Sequence, residues 1–441
     1  MQDTPDIADR HDAVCVIGAG ASGLATVKNL REQGFSVDCY ERETSVGGAW
    51  NWRHDRSPVY ASMHLVSSRP LTEFPDFPMP DDWPDYPHHT RLLGYLERYA
   101  EHFGLRDSIW FGTEVVAVTP TGDGRWEVTT RSTGGGAERV QRYAAVVAAN
   151  GHNWSPKPFS VDTSGFRGKV MHASAFKDPA QLRGRKVLVV GGGNSGCDIA
   201  VEAAQQAETV WHSTRRGYWY APKYLLGRPL DQMLLRWRLP QWLYERVLRL
   251  TVGDLTRFGL PAPDHRPYES HPVVNSQLAY YLGHGRITAV SDVARMEGST
   301  VELADGRRID PDLVVTATGY LPRFDFLAPE LLDLDEDGRP DLHLHTFARK
   351  HPTLAVVGLV QSDSGLFPLA HWQSVAVARW LRLRLTDPDR AAAVQQKESS
   401  RPLRSWTRLK VVPSSRHWFE VGHLSYLRAV QGLLDEMEPA R

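Results

Sequence analysis

Short runs of consecutive apolar residues recur along this chain, and several of them lead into a segment with helical periodicity. Apolar runs of this length, bounded by glycine, are typical of strands buried in a parallel sheet. The pattern predicts strands at residues 13–17, 36–40, 144–149, 186–190, 209–213, 313–320 and 354–359. It predicts helices at residues 24–33, 91–103, 197–206, 370–383 and 426–437. Strands that alternate with helices in this way predict an α/β fold.

Three further segments have patterns of their own. Residues 113–118 and 125–130 predict two strands joined by a turn at 121–124. Proline, aspartate and aromatic residues crowd the segment 74–87, which predicts an irregular surface loop. Residues 229–259 are rich in Leu, Arg and Trp with helical periodicity, so we expect an inserted helical segment that packs on the core or lines a substrate entrance. A helix lying on a membrane surface is the alternative for that insertion.

Two glycine-rich turns each separate a predicted strand from a predicted helix. The first contains Gly18, Gly20 and Gly23. The second contains Gly191, Gly193 and Gly196. Both have the spacing GxGxxG, which lets the backbone approach a pyrophosphate at the N-terminus of a helix. Two such turns predict two bound dinucleotides, so a redox enzyme is the leading hypothesis.

The residues that follow each turn distinguish the two nucleotides. Glu41 ends the strand after the first turn, where a carboxylate accepts hydrogen bonds from a ribose; a solvated strand end is the alternative. No acid follows the second turn, and the strand there leads into Arg215 and Arg216. Guanidinium groups favour a phosphate on the ribose, which predicts NADPH rather than NADH; a basic surface turn is the alternative.

Composition narrows the class further. The chain has 441 residues, 41% hydrophobic and 23% charged, and a formal net charge of −1, so no global basic field attracts nucleic acid. No apolar run is long enough to span a bilayer, and residues 1–12 lack the apolar core of a secretory signal. We therefore expect a cytoplasmic protein without a membrane anchor.

Cysteine and histidine spacing gives no sign of a dithiol or a metal site. Cys15, Cys39 and Cys197 lie far apart in predicted strands or a helix. The histidines show no metal-ligand spacing, and the pair His88 and His89 is interpreted as part of an exposed loop. We expect no metal.

The segment from Phe166 to Phe176 reads FRGKVMHASAF, which fits FxGxxxHxxx[FY]. It resembles the identifying motif of the flavin-containing monooxygenases, within the class B flavoprotein monooxygenases. Other features agree in order: the two glycine turns, the two arginines, and the segments 47–50, 74–78, 317–320 and 358–380. The resemblance covers nearly the whole chain.

This resemblance implies two Rossmann-like domains, with the NADPH domain inserted into a discontinuous FAD domain. It implies an FAD domain at residues 1–160, an NADPH domain at 161–318 with the helical insertion at about 229–259, and a return segment with a C-terminal tail at 319–441. The FAD-binding residues expected from it are Gly18, Gly20, Ser22, Gly23, Glu41, Gly48, Trp50 and Val115. The NADPH-binding residues expected are Gly191, Gly193, Asn194, Ser195, Gly196, Arg215, Arg216, Ala317, Thr318 and Gly319.

The activity that the resemblance implies is an NADPH-dependent monooxygenation. NADPH reduces FAD, reduced flavin takes up O2 as a hydroperoxide, and a soft nitrogen or sulfur nucleophile of a small organic substrate accepts one oxygen atom. Baeyer–Villiger oxidation of a ketone on the same scaffold is one alternative, and a non-catalytic dinucleotide-binding redox protein is a more remote one. A homodimer is left open.

One departure from the family concerns the segment that faces the flavin. Relatives commonly carry Thr-Asn there, whereas this chain has Leu65 and Val66, and the valine has no amide to donate. His64, Ser67 or Ser68 are the candidates for a replacement polar contact. His172, in the linker motif, is expected either to hold the linker between the nucleotide domains or to make a structural hydrogen bond.

Overall fold

Two sheets built mainly of parallel strands organise the molecule. The computed structural model describes residues 10, 12–237, 241–267, 269–336, 338–399, 401, 412 and 417–438. Within these ranges, none of the helices combines the length and hydropathy that crossing a bilayer requires.

The first sheet has seven strands, and its central strands are parallel. In spatial order they are Leu342–His343, Phe347–Ala348, Leu354–Val356, Ala145–Ala148, Val14–Ile17, Val37–Tyr40 and Ile109–Trp110. Val14 and Val16 pack among helices on one face, while Cys15 and Ile17 pack against a small antiparallel sheet on the other. Because both faces are covered, the strand is apolar at every position rather than alternating.

The second sheet has five strands, all parallel. In spatial order they are Thr288–Val290, Thr209–Ser213, Lys186–Val190, Leu313–Thr316 and Lys169–His172. The last strand, at the edge, contains the histidine of the FxGxxxHxxx[FY] motif, so this part of the motif belongs to the sheet.

The chain returns to the first sheet after completing the second. Strand Leu354–Val356 pairs with Ala145–Ala148. The long helix Phe367–Thr386 then packs on helix Ala21–Glu32, and Asn29 Nδ2 donates a hydrogen bond to Ser374 Oγ over 2.7 Å. The domain boundaries at residues 160 and 318 stay a prediction.

Shorter elements complete the fold. Antiparallel three-stranded sheets comprise Thr113–Pro120, Trp126–Ser132 and Arg139–Tyr143, and Val293–Glu297, Thr300–Leu303 and Arg308–Ile309. Two-stranded sheets pair Tyr220–Ala221 with Val273–Val274, Tyr224–Leu225 with Arg228–Pro229, and Gln361–Ser362 with Glu420–Val421. The remaining α-helices are Arg69–Thr72, His89–His102, Asn194–Gln206, Leu230–Trp237, Gln241–Thr251, Leu278–Gly283, Pro388–Ser399 and His423–Met437. Turns of 3-10 helix occupy Gly48–Trp50, Arg106–Ser108, Ala173–Ala175, Pro179–Leu182, Leu255–Phe258 and Pro329–Leu331.

The structure corrects two expectations about exposure. Segment 74–87 is irregular but not confined to the surface, because Phe74 is fully buried with its ring 4.4 Å from that of Tyr99 and 5.1 Å from that of Phe367. His89 is buried at the start of its helix rather than lying in an exposed loop. In both cases aromatic packing between distant segments overrides a polar local sequence.

The insertion at 229–259 is helical, and its inner face is packed. Tyr244 and Leu248 are buried in a small cluster with Ala221 and Leu230. Residues 238–240, between its two helices, lie outside the described residues.

Candidate active site

The first glycine turn brings the backbone of two segments together at the start of a helix. Gly18 has φ +99°, and Gly20 is the N-cap residue of helix Ala21–Glu32. A Cβ on Gly23 would lie 1.8 Å from the Gly18 carbonyl oxygen, and one on Gly48 would lie 2.8 Å from Gly20 Cα. Because a glycine cap has no side chain to satisfy the first amides, this helix end fits a pyrophosphate.

Glu41 lies buried beside this turn. Its carboxylate accepts hydrogen bonds from the Ala19 amide at 2.7 Å and from the Glu43 amide at 2.9 Å. Burial raises the pKa of Glu41, and the two amide donors act against that shift. These contacts fix the carboxylate at the carboxyl end of strand Val37–Tyr40, where a ribose would sit.

The other residues expected to contact FAD surround the same turn. Trp50 is half-buried at the end of the short helix Gly48–Trp50 and packs on the core. A Cβ on Gly358 would lie 2.2 Å from Ser22 Oγ, so the returning segment closes directly over the first turn. Val115 is buried on the strand whose first residue, Thr113, donates its amide to the Glu41 carbonyl.

The second glycine turn repeats this geometry. Gly191 has φ +124°, and Gly193 is the N-cap residue of helix Asn194–Gln206. A Cβ on Gly196 would lie 1.9 Å from the Gly191 carbonyl oxygen. Ser195 is exposed in the first helical turn, while the side-chain oxygen of Asn194 accepts the Val274 amide at 2.8 Å. This helix end also fits a dinucleotide phosphate, and the asparagine anchors it to a neighbouring strand.

The two arginines after strand Thr209–Ser213 have different environments. Arg216 forms an ion pair with Asp264, with 3.0 Å between Nη2 and Oδ1. The side chain of Arg215 is exposed. Arg215 is therefore better placed than Arg216 to meet an incoming phosphate.

The turn 317–319 touches the second glycine turn and His172. A Cβ on Gly191 would lie 2.4 Å from the Ala317 carbonyl oxygen, and Thr318 Oγ1 donates to the Lys157 carbonyl at 2.9 Å. His172 Nδ1 accepts the Ser174 amide at 3.1 Å, so Nε2 carries the proton and donates to the Gly319 carbonyl at 3.0 Å. Burial lowers the pKa of His172, and the Gly319 contact opposes that shift. The His172 ring therefore connects the end of the edge strand Lys169–His172 to the turn 317–319.

The segment expected to face the flavin lines a cavity of about 350 Å³. Val66 and Ser67 both belong to its wall, and Ser67 Oγ lies 2.8 Å from Thr72 Oγ1. His64 does not line this cavity: its exposed ring lies 2.9 Å from the Ser62 carbonyl and packs edge-on against His88. Of His64, Val66, Ser67 and Ser68, the structure thus places Val66 and Ser67 in the wall.

A buried polar network ties this segment to the second glycine turn. Tyr60 Oη donates to Asp198 Oδ2 at 3.2 Å, and Asn275 Nδ2 donates to Asp198 Oδ1 at 2.7 Å. Lys223 Nζ donates to the Leu65 carbonyl at 3.1 Å, one residue before Val66. Burial raises the pKa of Asp198 and lowers that of Lys223. Helix Asn194–Gln206 is thereby linked to the wall of the cavity.

Sequence reasoning missed the carboxylates of this cavity. Asp231, in the helical insertion, and Asp363, after strand Gln361–Ser362, both line it. Asp363 lies in the segment 358–380 that resembles the family, and Asp231 lies in the insertion, but no spacing singles out either side chain. Only the fold reveals that the two share a site. Among the described residues, no group of three or more His, Cys, Asp or Glu side chains is arranged to hold a metal ion.

Comparison with known proteins agrees with this geometry. The sequence model of the flavin-binding monooxygenase-like family matches residues 11–410. The chain is 33% identical over 397 residues to flavin-containing monooxygenase 5 of Oryctolagus cuniculus, covering 84% of this chain and 72% of that protein. It is 34% identical over 393 residues to dimethylaniline monooxygenase (N-oxide-forming) 2 of Mus musculus, covering 83% and 72%.

Solved structures share the fold at lower sequence identity. The S-allyl-L-cysteine S-oxygenase from Allium sativum superposes with a TM-score of 0.67 at 22% identity, covering 96% of this chain and 88% of that one. The NADP+-bound cyclohexanone monooxygenase from Rhodococcus sp. Phi1 superposes with a TM-score of 0.70 at 19% identity, covering 97% and 98%. A family match that spans residues 11–410 places the chain in the flavin-binding monooxygenase-like family: it is a flavin monooxygenase whose cofactors are FAD and NADPH.

Proposed function

We propose that this enzyme transfers one oxygen atom from O2 to a soft nitrogen or sulfur nucleophile of a small lipophilic molecule. The observation that carries the proposal is the cavity beside Val66 and Ser67, whose wall also includes Tyr86, Leu230 and Tyr244. The apolar side chains in this wall suit a lipophilic substrate. The N-oxide-forming relative from Mus musculus supports the choice of a nitrogen nucleophile.

We assign one cofactor to each glycine turn. The first turn, with Glu41 and Gly48, would hold the pyrophosphate and ribose of FAD. The second turn would hold the pyrophosphate of NADPH, with Arg215 on the additional phosphate. The support is that Glu41 is held by backbone amides beside the first turn, whereas an exposed guanidinium follows the strand beside the second.

FAD, when bound, supplies the redox chemistry that activates O2 with electrons from NADPH. The protein would position the cofactor and exclude water. Val66 presents only methyl groups to the cavity, so Ser67 is the nearer source of a polar contact. His172 would connect the edge strand to turn 317–319. It would not donate a proton in the reaction, because its Nε2–H already forms a hydrogen bond with the Gly319 carbonyl.

Baeyer–Villiger oxidation of a ketone is the second candidate. The observation that favours it is Val66, because this position lacks the side-chain amide common in relatives that oxygenate nitrogen and sulfur. Cyclohexanone would then give a lactone.

A substrate panel separates these reactions. The purified flavoprotein is incubated with NADPH and either N,N-dimethylaniline, thioanisole or cyclohexanone, and NADPH, O2, H2O2 and organic product are measured together. We expect an N-oxide or a sulfoxide, with equal consumption of NADPH and O2. Lactone without sulfoxide would support the second candidate. Release of all reducing equivalents as H2O2 with every compound would contradict both.

Three further expectations remain predictions. A homodimer would be detected by light scattering coupled to size-exclusion chromatography. A cytoplasmic location would be tested by fractionating the cells that produce the protein. Limited proteolysis would test the domain boundaries at residues 160 and 318.

A further inference from the structure

The cavity beside Val66 is assembled from segments that lie far apart in the sequence. Its wall combines the predicted flavin-facing residues with the helical insertion, the segment 271–274, the segment 362–364 and the start of helix His423–Met437. A volume of about 350 Å³ is enough for a small organic molecule.

Two carboxylates enter this wall from different segments. Asp231 Oδ2 accepts the Ser68 amide at 2.6 Å, and its Oδ1 accepts the Gln232 amide at 2.9 Å. Asp363 Oδ1 accepts the His423 amide at 2.8 Å and lies 3.4 Å from Ser362 Oγ. Both residues are half-buried and line the cavity.

Neither carboxylate forms an ion pair within the part of the chain that the structure describes. Burial raises the pKa of both, and amide or hydroxyl donors only partly oppose it. A half-buried anion whose partners are neutral dipoles remains incompletely compensated, and a cationic ligand would relieve that cost. Ser364 also belongs to the wall, and its Oγ is buried with no hydrogen-bond partner among the described residues.

The nearby basic groups do not cancel these two charges. Arg428 lines the cavity, but its side chain is exposed, where solvent weakens its field. Burial lowers the pKa of His423 to about 4, so this ring is neutral at pH 7. Lys223 Nζ donates to the Leu65 carbonyl and lies in the field of Asp198. His271 also lines the cavity and already interacts with another group of the chain.

We propose that this cavity is a cation-selective substrate site in which Asp231 and Asp363 are the counter-charges for an ammonium group. The substrate class is then a lipophilic molecule with a positively charged ammonium group and a separate soft atom, nitrogen or sulfur, that reaches Val66. This specificity rests on the oxygenation proposed above.

A matched pair of sulfides tests the charge alone. One aryl sulfide carries a 2-(trimethylammonio)ethyl chain, and the other carries the uncharged 3,3-dimethylbutyl chain of the same shape. Only sulfur can be oxygenated in either compound. We expect the holoenzyme to use the cationic sulfide with a kcat/KM roughly ten- to a hundredfold above that of the neutral one.

Variants then assign the preference to the two residues. The preference is the kcat/KM for the cationic sulfide divided by that for the neutral sulfide. Asp231→Asn and Asp363→Asn should each lower this ratio by about tenfold, because each removes one charge without changing the side chain's size. Asp82→Asn removes an exposed charge outside the cavity and should keep the wild-type ratio. FAD content and melting temperature show whether each variant is folded. Replacing the sulfur of each sulfide by oxygen gives two ether analogues that cannot be oxygenated. Calorimetric binding of these ether analogues compares the cationic and neutral chains without turnover.

The outcomes separate this inference from the proposed function. Sulfoxide formation with equal or greater preference for the neutral sulfide would overturn the cation site and leave the oxygenation standing. If NADPH is consumed but neither sulfide is oxygenated, the oxygenation fails, and binding of the ether analogues alone decides the cation site. A ratio unchanged in both folded variants would also overturn the assignment.

Discussion

The third glycine of the second turn offers a sharp test of how this enzyme holds NADPH. In Gly196→Ala, the new Cβ would lie 1.9 Å from the Gly191 carbonyl oxygen and 2.9 Å from its carbonyl carbon. Gly432 is the matched control, because it also lies within an α-helix but a Cβ there would meet nothing within 4 Å. Both substitutions make the same chemical change, and only the packing differs.

The magnitude follows from this comparison. Alanine is favoured over glycine within a helix by about 1 kcal/mol, so Gly432→Ala should stabilise the protein by about that amount. Gly196→Ala gains the same propensity but must move the helix away from the turn, because an ordinary contact is at least 3.4 Å. Overpacking of this kind costs about 1–3 kcal/mol, which is the expected difference in unfolding free energy between the two variants.

The same displacement should weaken NADPH binding. Each hydrogen bond to phosphate that is lost would raise the dissociation constant of NADP+ roughly tenfold. The reciprocal variant is Gly23→Ala, whose Cβ would lie 1.8 Å from the Gly18 carbonyl oxygen. That variant should instead lose FAD.

Three measurements decide the matter: urea unfolding, calorimetric titration with NADP+, and FAD content from absorbance. We expect Gly196→Ala to bind NADP+ weakly while retaining FAD, and Gly23→Ala to be purified with little FAD. The reasoning is refuted if Gly196→Ala matches Gly432→Ala in unfolding and in NADP+ affinity, or if each variant loses the other cofactor.

Three other predictions concern single side chains. Arg215→Ala should lower kcat/KM for NADPH by roughly ten- to a hundredfold, while kcat/KM for NADH changes little. Arg216→Ala should have a smaller effect, because its guanidinium is paired with Asp264. Equal losses with both nucleotides would contradict the phosphate role. Burial lowers the pKa of His152 and of His423 to about 4 in the folded protein. As the pH drops from about 6.5 to 4, both rings are therefore protonated in the unfolded chain before they are protonated in the folded one. The free energy of unfolding should fall over this range by up to about 3 kcal/mol for each ring. Urea unfolding of His152→Gln at pH 5 and pH 7 should show a shallower loss than the wild type, and an equal loss would contradict this cause. Val66→Asn should reduce the fraction of NADPH lost as H2O2, and an unchanged fraction would indicate that other groups already supply the polar contact.

Local sequence patterns were sufficient for the parts of the fold that hold the cofactors. Strands Lys186–Val190 and Thr209–Ser213 have the bounds that their apolar runs predict. The two glycine turns are also local, because the tight φ angles and the close approach of helix to strand depend on residues within one short segment. The spacing GxGxxG alone therefore predicts the geometry of each turn.

The wall of the cavity could not be predicted in this way. The contact between Asp231 and Ser68 joins residues 163 positions apart, and no pattern in either segment indicates it. Strand Lys169–His172 is visible as a strand only through its pairing with Leu313–Thr316. These contacts depend on how distant elements pack against each other. The hydrophobic pattern of a single segment contains no information about that packing.

Transfer of an oxygen atom from O2 is the central claim, and isotope labelling tests it most directly. The holoenzyme is supplied with NADPH, a cationic aryl sulfide and ¹⁸O2 in unlabelled water, and the sulfoxide is analysed by mass spectrometry. We predict that the sulfoxide carries a single ¹⁸O atom and forms in step with NADPH consumption. Unlabelled sulfoxide, or labelled H2O2 with no sulfoxide, would contradict the account.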